Sequence, residues 1–241
     1  MLETVYESTM RSIFEDSSLL IKGIKNEKSS TCIVSFTGVG HRMGGMDVQK
    51  EEFVGSALKN GSVFSVTDKT RSWSNNIDES RLKSQFIEFG NFDKVVSIGN
   101  SMGGTNALLL GGVFGSHTTI AFTPQFSVHP DVFPRLHDSQ WSTWRNAISN
   151  WKYKSVEDAK IVTSREYIFH GDSLEELVQA SKFRKQKNRV HLVIKNCGHD
   201  VAMKLKDKGA LSTIIDKCIA NASEQEIESC IRSFGMETLD G

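Results

Sequence analysis

The stretch that most constrains this chain is 94–104, K-V-V-S-I-G-N-S-M-G-G. A short apolar run (Val95, Val96, Ile98) passes directly into Gly99-Asn100-Ser101-Met102-Gly103, a G-x-S-x-G pattern. Such a pattern needs a strand-to-helix turn so tight that its central serine is held in a strained backbone conformation with the hydroxyl above the sheet. Glycine is required two residues before and two after, because a β-carbon at either place would collide with the turn. A helix follows over 105–110, and Gly111-Gly112 stop it. Strand, turn and helix in this order commit the region to an α/β architecture and make Ser101 the candidate nucleophile. The plainer reading, a serine in a glycine-rich turn, does not account for the elements on both sides.

The rest of the chain keeps the same rhythm. Residues 31–36 (T-C-I-V-S-F) form an unbroken apolar run closed by Thr37-Gly38-Val39-Gly40, as expected of a strand buried on both faces. A helix is expected over 51–58, a strand over 61–66 and an amphipathic helix over 77–89 with a Gly90 stop. Beyond the elbow, strands are expected at 118–123, 165–170 and 190–194. A helix at 173–185 has Ser173 as its N-cap and Glu175-Glu176 in its first turn. The chain ends in helix through Cys230 and Ile231. Residues 1–30 fit either a first helix or an edge hairpin.

Alternating strands and helices predict one mostly parallel sheet with helices on both faces, in a single domain over 1–241. The segment 125–160 breaks the rhythm. It holds Pro130, Pro134, Trp141, Trp144 and Trp151 and reads as an insertion with short helices of its own, a cap or lid following the elbow half.

Composition narrows the function classes. With 38% hydrophobic residues and only three prolines, the chain can bury a sizeable core. Its 29 basic and 29 acidic residues cancel, leaving no global field to attract nucleic acid or an anionic membrane. Cysteines 32, 197, 218 and 230 have no C-x-x-C pairing, so neither a metal site nor a disulfide framework is expected. No run approaches a membrane span, and the acidic first residues do not resemble a signal peptide. A cytoplasmic protein without a cofactor is the expectation.

In a parallel sheet, functional groups collect at the carboxyl ends of the strands. Four such ends stand out: Gly38-Val39-Gly40, Ser101, Asp172 and His199. A serine hydroxyl needs an adjacent base, and histidine suits that task; the histidine in turn needs a carboxylate to fix its tautomer. The order Ser101, Asp172, His199 is the one that accompanies the G-x-S-x-G elbow. With G-N-S-M-G-G, H-G-D at 170–172 and C-G-H-D at 197–200, the chain resembles the α/β-hydrolase superfamily over roughly residues 31–220.

The resemblance implies Ser101 as nucleophile, Asp172 as acid and His199 as base. It also implies an oxyanion hole made by the Met102 N–H and a second N–H from Val39 or Gly38. The loop reads T-G-V-G-H where that superfamily commonly has H-G or H-G-G-G. Asp172 has a plainer reading as a helix cap, and Asp200 is a weaker acid candidate because it would have to fold back onto its neighbour's ring. His170, His191 and Cys197 read as packed groups; Asp68, at a strand end, could support the site from behind, but a solvated loop aspartate is the favoured reading.

His41 and Arg42, beside the oxyanion loop, are candidate substrate contacts, as are Trp141 and Trp144, which share a helical face. The reaction implied is hydrolysis of a carboxylic ester through an acyl-enzyme on Ser101, with a small or sugar-borne substrate favoured by the lack of a long greasy lid. Acyl transfer and thioester cleavage use the same residues. A catalytically idle binding or assembly protein is the alternative from another class, and an intact Ser-Asp-His set argues against it.

Overall fold

The computed structural model describes residues 10–40, 48–133, 139–161 and 163–239. Eight strands form one sheet: β1 (Arg11–Glu15), β2 (Leu19–Ile24), β3 (Thr31–Phe36), β4 (Ser62–Asp68), β5 (Lys94–Asn100), β6 (Thr118–Phe122), β7 (Arg165–Gly171) and β8 (Arg189–Ile194). Their order is β1-β2-β4-β3-β5-β6-β7-β8. From β4 across to β8 every neighbouring pair is parallel, while β1–β2 and β2–β4 are antiparallel. The N-terminal choice between helix and hairpin therefore falls to the hairpin, which extends the sheet on one side.

β3, β4 and β6 are buried almost throughout, the mark of strands covered on both faces. Alternate side chains divide into two cores. Ile33, Val63, Val96 and Ile120 face one side, against Ala57 of α1 (Val54–Asn60) and the C-terminal helices α6 (Val201–Asp207), α7 (Leu211–Ile219) and α8 (Glu224–Ser233). Cys32, Val34, Phe64 and Val66 face the other, against α2 (Glu79–Phe89) and α3 (Met102–Leu110). All the cysteines are buried and free. No described helix is long and apolar enough to cross a membrane.

The helix expected over 51–58 is α1 (Val54–Asn60), and the C-terminal half differs from the sequence expectation at two further places. The helix expected over 173–185 is α5 (Leu174–Ala180) and ends early. Turn bonds from Lys182 and Phe183 N–H to Gln179 and Ala180 carbonyls swing Phe183 inward, 5.3 Å from the Phe126 ring, and that burial ends the helix. Beyond the last helix the chain returns to the sheet: Leu239 N–H donates to Val193 O and Lys195 N–H to Glu237 O, which covers the outer edge of β8. Within 125–160 the described elements are α4 (Ser139–Asn146) and a 3₁₀ turn at Val156–Asp158.

Candidate active site

Ser101 stands between β5 and α3 with φ 57° and ψ −126°, a left-handed value that a residue with a β-carbon rarely adopts. The strain, on the order of 1–3 kcal/mol, is held by the surroundings. Ser101 N–H donates to Phe122 O at 2.9 Å, and its carbonyl accepts from Thr105 N–H at 3.1 Å. A β-carbon on Gly99 would lie 2.2 Å from the Gly103 backbone, and one on Gly103 would lie 2.3 Å from Phe36 O. The sequence requirement for these glycines is thus a backbone-to-backbone contact that no rotamer change relieves. We expect Gly103→Ala to lower stability by about 3 kcal/mol or more. Thermal unfolding checks this, and an unchanged midpoint would mean that the turn opens freely.

His199 follows β8 in a loop that returns to the elbow. Its Nε2 lies 2.7 Å from Ser101 Oγ, and its Nδ1 lies 2.6 Å from Oε1 of Glu176. The carboxylate beside the histidine is therefore Glu176, not Asp172. Asp172 has other partners: its two oxygens accept from the N–H groups of Asn196 and Cys197 at 3.0 and 3.1 Å. In return, Cys197 O accepts from the N–H of Asp172 at 2.8 Å and of Ser173 at 3.2 Å. Asp172 thus staples the His199 loop to the end of β7, with both carboxylate oxygens bonded to loop N–H groups. Asp200 accepts from Gly198 N–H at 3.0 Å and braces the other side of the same loop.

Glu176 is 5% exposed and sits in the first turn of α5, whose N-cap Ser173 accepts its N–H. A glutamate there has an ordinary explanation in the helix dipole, which is why sequence reasoning passed over it.

The two expected oxyanion residues of the β3 loop separate here. Gly38 N–H donates to Glu52 Oε1 at 3.3 Å, and Gly38 O accepts from Gln49 Nε2 at 2.9 Å. Burial raises the Glu52 carboxyl to about 8, opposed by that N–H. Val39 is left as the candidate donor, its own carbonyl accepting from Arg71 Nε at 2.7 Å. Met102 opens α3, so its N–H belongs to the first helical turn and has no partner within the helix.

No protein-family model matches the chain, and no curated protein matches it either. Solved structures do. The capsule O-acetyltransferase of Neisseria meningitidis serogroup A superimposes with a TM-score of 0.62 at 18% identity, over 86% of this chain and 94% of that one. Est1E from Butyrivibrio proteoclasticus gives 0.55 at 14% identity, over 88% and 99%. Carboxylesterase CesB from Bacillus subtilis gives 0.51 at 11% identity, over 89% and 92%. This is an α/β-hydrolase fold.

Around the elbow of this hydrolase fold lies an aromatic wall. Trp141, on α4, packs its ring 5.4 Å from that of His199 and 6.4 Å from that of Trp73. Trp144 lies under the Arg71 guanidinium at 5.1 Å, and Trp151 meets the His129 ring at 4.6 Å. The segment 125–160 therefore touches the histidine directly, through Trp141. His41 and Arg42 lie outside the described residues.

Asp68 corrects the expectation of a solvated aspartate. It is 1% exposed and accepts from the N–H and hydroxyl of both Thr70 and Ser72 and from the N–H of Ser74. It thereby organises the 69–75 loop, which carries Arg71 to the Val39 carbonyl and Trp73 toward Ser101. Burial raises the Asp68 carboxyl, against the pull of these donors. His170 and His191 are packed, as expected: their rings bond at 2.9 Å, and burial lowers His170 to about 3 and His191 to about 4. Burial likewise raises the Cys197 thiol.

Proposed function

We propose that the protein is a serine enzyme of acyl transfer, cleaving a carboxylic ester through an acyl-enzyme on Ser101. The observation that carries this reading is the continuous contact from Ser101 Oγ to His199 Nε2 and from His199 Nδ1 to Glu176. His199 takes the hydroxyl proton as Oγ forms its bond to the acyl carbon. The charge on the carbonyl oxygen falls to the N–H groups of Met102 and Val39. As the carbonyl re-forms, the alcohol leaves with the proton from His199. Glu176 holds the imidazole with Nδ1 protonated and steadies the positive ring. Water then repeats the sequence in reverse, deprotonated by His199, and the acid departs as Oγ regains its proton.

Acyl transfer to a second hydroxyl is the other reading, supported by the likeness to a capsule O-acetyltransferase. It uses every group above and replaces water by an alcohol, so a small acyl group on a carbohydrate suits both reactions. The half-buried rings of Trp141 and Trp144 offer flat surfaces of the kind a sugar ring stacks on.

Incubation with a fluorophosphonate, followed by intact-mass and peptide mapping, tests the proposal. One adduct per chain on Ser101, absent from Ser101→Ala, is the expected result. Folded wild-type protein that takes up no label would overturn it and favour the binding or assembly reading. Acetyl esters assayed with and without an added sugar alcohol then separate hydrolysis from transfer.

A further inference from the structure

Ser101 has a second neighbour that the sequence did not single out. Gln125 Nε2 lies 3.2 Å from Ser101 Oγ. Trp73 fixes which end of that amide faces the serine. Its Nε1 lies 2.9 Å from Gln125 Oε1, and an indole N–H can only donate, so the amide oxygen must face Trp73 and the NH₂ must face Ser101. Thr105 reinforces the setting, its hydroxyl 2.9 Å from the Gln125 main-chain oxygen and 3.4 Å from Oε1. Trp73 and Gln125 are each 2% exposed, so water does not compete for these bonds.

A serine oxygen that accepts from Gln125 has its proton free for His199 Nε2, 2.7 Å away. Nε2 must then be the bare nitrogen, which leaves the ring proton on Nδ1 facing Glu176. Donors thus point one way along the whole row, Trp73 to Gln125 to Ser101 to His199 to Glu176. The Asp68 loop that shapes Trp73 is the anchor of the row.

We infer that Gln125 is a catalytic residue of this site, acting on the serine oxygen itself and chiefly in breakdown of the acyl-enzyme. The inference rests on the Ser101 reading above. In acylation the Oγ–H bond breaks toward His199 Nε2 and an oxygen electron pair forms the bond to the acyl carbon. A free hydroxyl already accepts well from Gln125, so little is gained on the way to that transition state. In breakdown, His199 takes a proton from the incoming water or alcohol, whose oxygen bonds to the acyl carbon. The C–Oγ electron pair then returns to Oγ, which takes the proton back from His199. An ester Oγ is a poor acceptor and a departing alkoxide a strong one, so the Gln125 N–H strengthens where charge develops.

Stopped-flow hydrolysis of p-nitrophenyl acetate by the full chain provides the test. Gln125→Met keeps the side-chain length and removes the donor. It should leave a burst of about one equivalent while steady-state turnover falls about 10- to 100-fold. Trp73→Phe, which releases the amide to rotate, should move the same ratio in the same direction by less, and it stands in if Gln125→Met does not fold.

Gln125→Glu gives a pH signature that a merely structural role would not. Position 125 is faced by Ser101, Trp73 and Thr105, with His199 and Glu176 beyond the serine and neutral His170 bonded to Pro124 O at 2.9 Å. A protonated carboxyl there can still donate to Oγ. An ionised one can only accept, and it draws the Ser101 proton away from His199. Fluorophosphonate labelling of Gln125→Glu should therefore fall as pH rises, while wild-type labelling rises. A parallel profile in both proteins, or an unchanged burst-to-turnover ratio in Gln125→Met, would overturn the inference while leaving Ser101 as nucleophile. Failure of wild type to label at all would overturn both.

Discussion

Ser101→Ala and His199→Ala should each lower kcat on an activated acetyl ester by about 10⁵- to 10⁶-fold, and the double variant should be no slower than either. The reason is geometric. In the proposed mechanism nucleophile and base are one device, joined at 2.7 Å, so removing either member leaves the other with nothing to act on. What survives in all three variants is whatever the Met102 and Val39 N–H groups do for a carbonyl attacked directly by water, roughly 10³–10⁴ above the uncatalysed rate. A shared floor is thus the signature of a working pair. A loss of less than about tenfold in Ser101→Ala would mean that the strained serine is not the attacking group, and in His199→Ala that the histidine is not its base. Alanine keeps a β-carbon and so bears much the same backbone strain at φ 57°, which keeps the comparison one of chemistry.

Much of this architecture follows from local pattern. β3, β4 and β6 are apolar runs because helices cover both of their faces. The elbow glycines are legible because a β-carbon on Gly99 would lie 2.2 Å from the Gly103 backbone, which leaves no alternative residue. The strand ends that carry Ser101 and His199 are where a parallel sheet collects its chemistry. The groups that were missed are those whose partners come from elsewhere in the chain. Trp73 and Gln125 are 52 positions apart, both in loops, and nothing in either neighbourhood announces the other. Asp68 looks like any polar loop residue until its loop closes over it.

The carboxylate that lies beside His199 was not legible for a similar reason. Asp172 and Glu176 are four positions apart, one between the end of β7 and the Ser173 N-cap and the other in the first turn of α5, so both lie near the same sheet edge. Only the path of the 195–199 loop decides between them. That loop presents the N–H groups of Asn196 and Cys197 to Asp172 and the ring of His199 to Glu176.

The choice between these two carboxylates is the sharpest test of the geometry. Glu176→Gln should lower kcat by about 10³- to 10⁴-fold. A glutamine amide can turn its NH₂ toward Nδ1, which holds the imidazole with its proton on Nε2, where it faces Ser101 and cannot act as base. Stability should not fall with activity. Glu176 is a buried carboxylate with Oε2 unpartnered among the described residues, and a neutral amide of the same shape relieves that desolvation. Asp172→Asn should behave in the opposite way. The amide keeps one acceptor where the carboxylate has two, so one loop N–H loses its bond and stability drops by about 1–3 kcal/mol. Turnover, with Glu176 still against the ring, should stay within about tenfold of wild type. Thermal unfolding and steady-state kinetics on the two variants therefore give crossed outcomes, one an intact but idle enzyme and the other a weakened but working one. The reverse crossing, with Asp172→Asn idle and fully stable, would return the acid to the strand end.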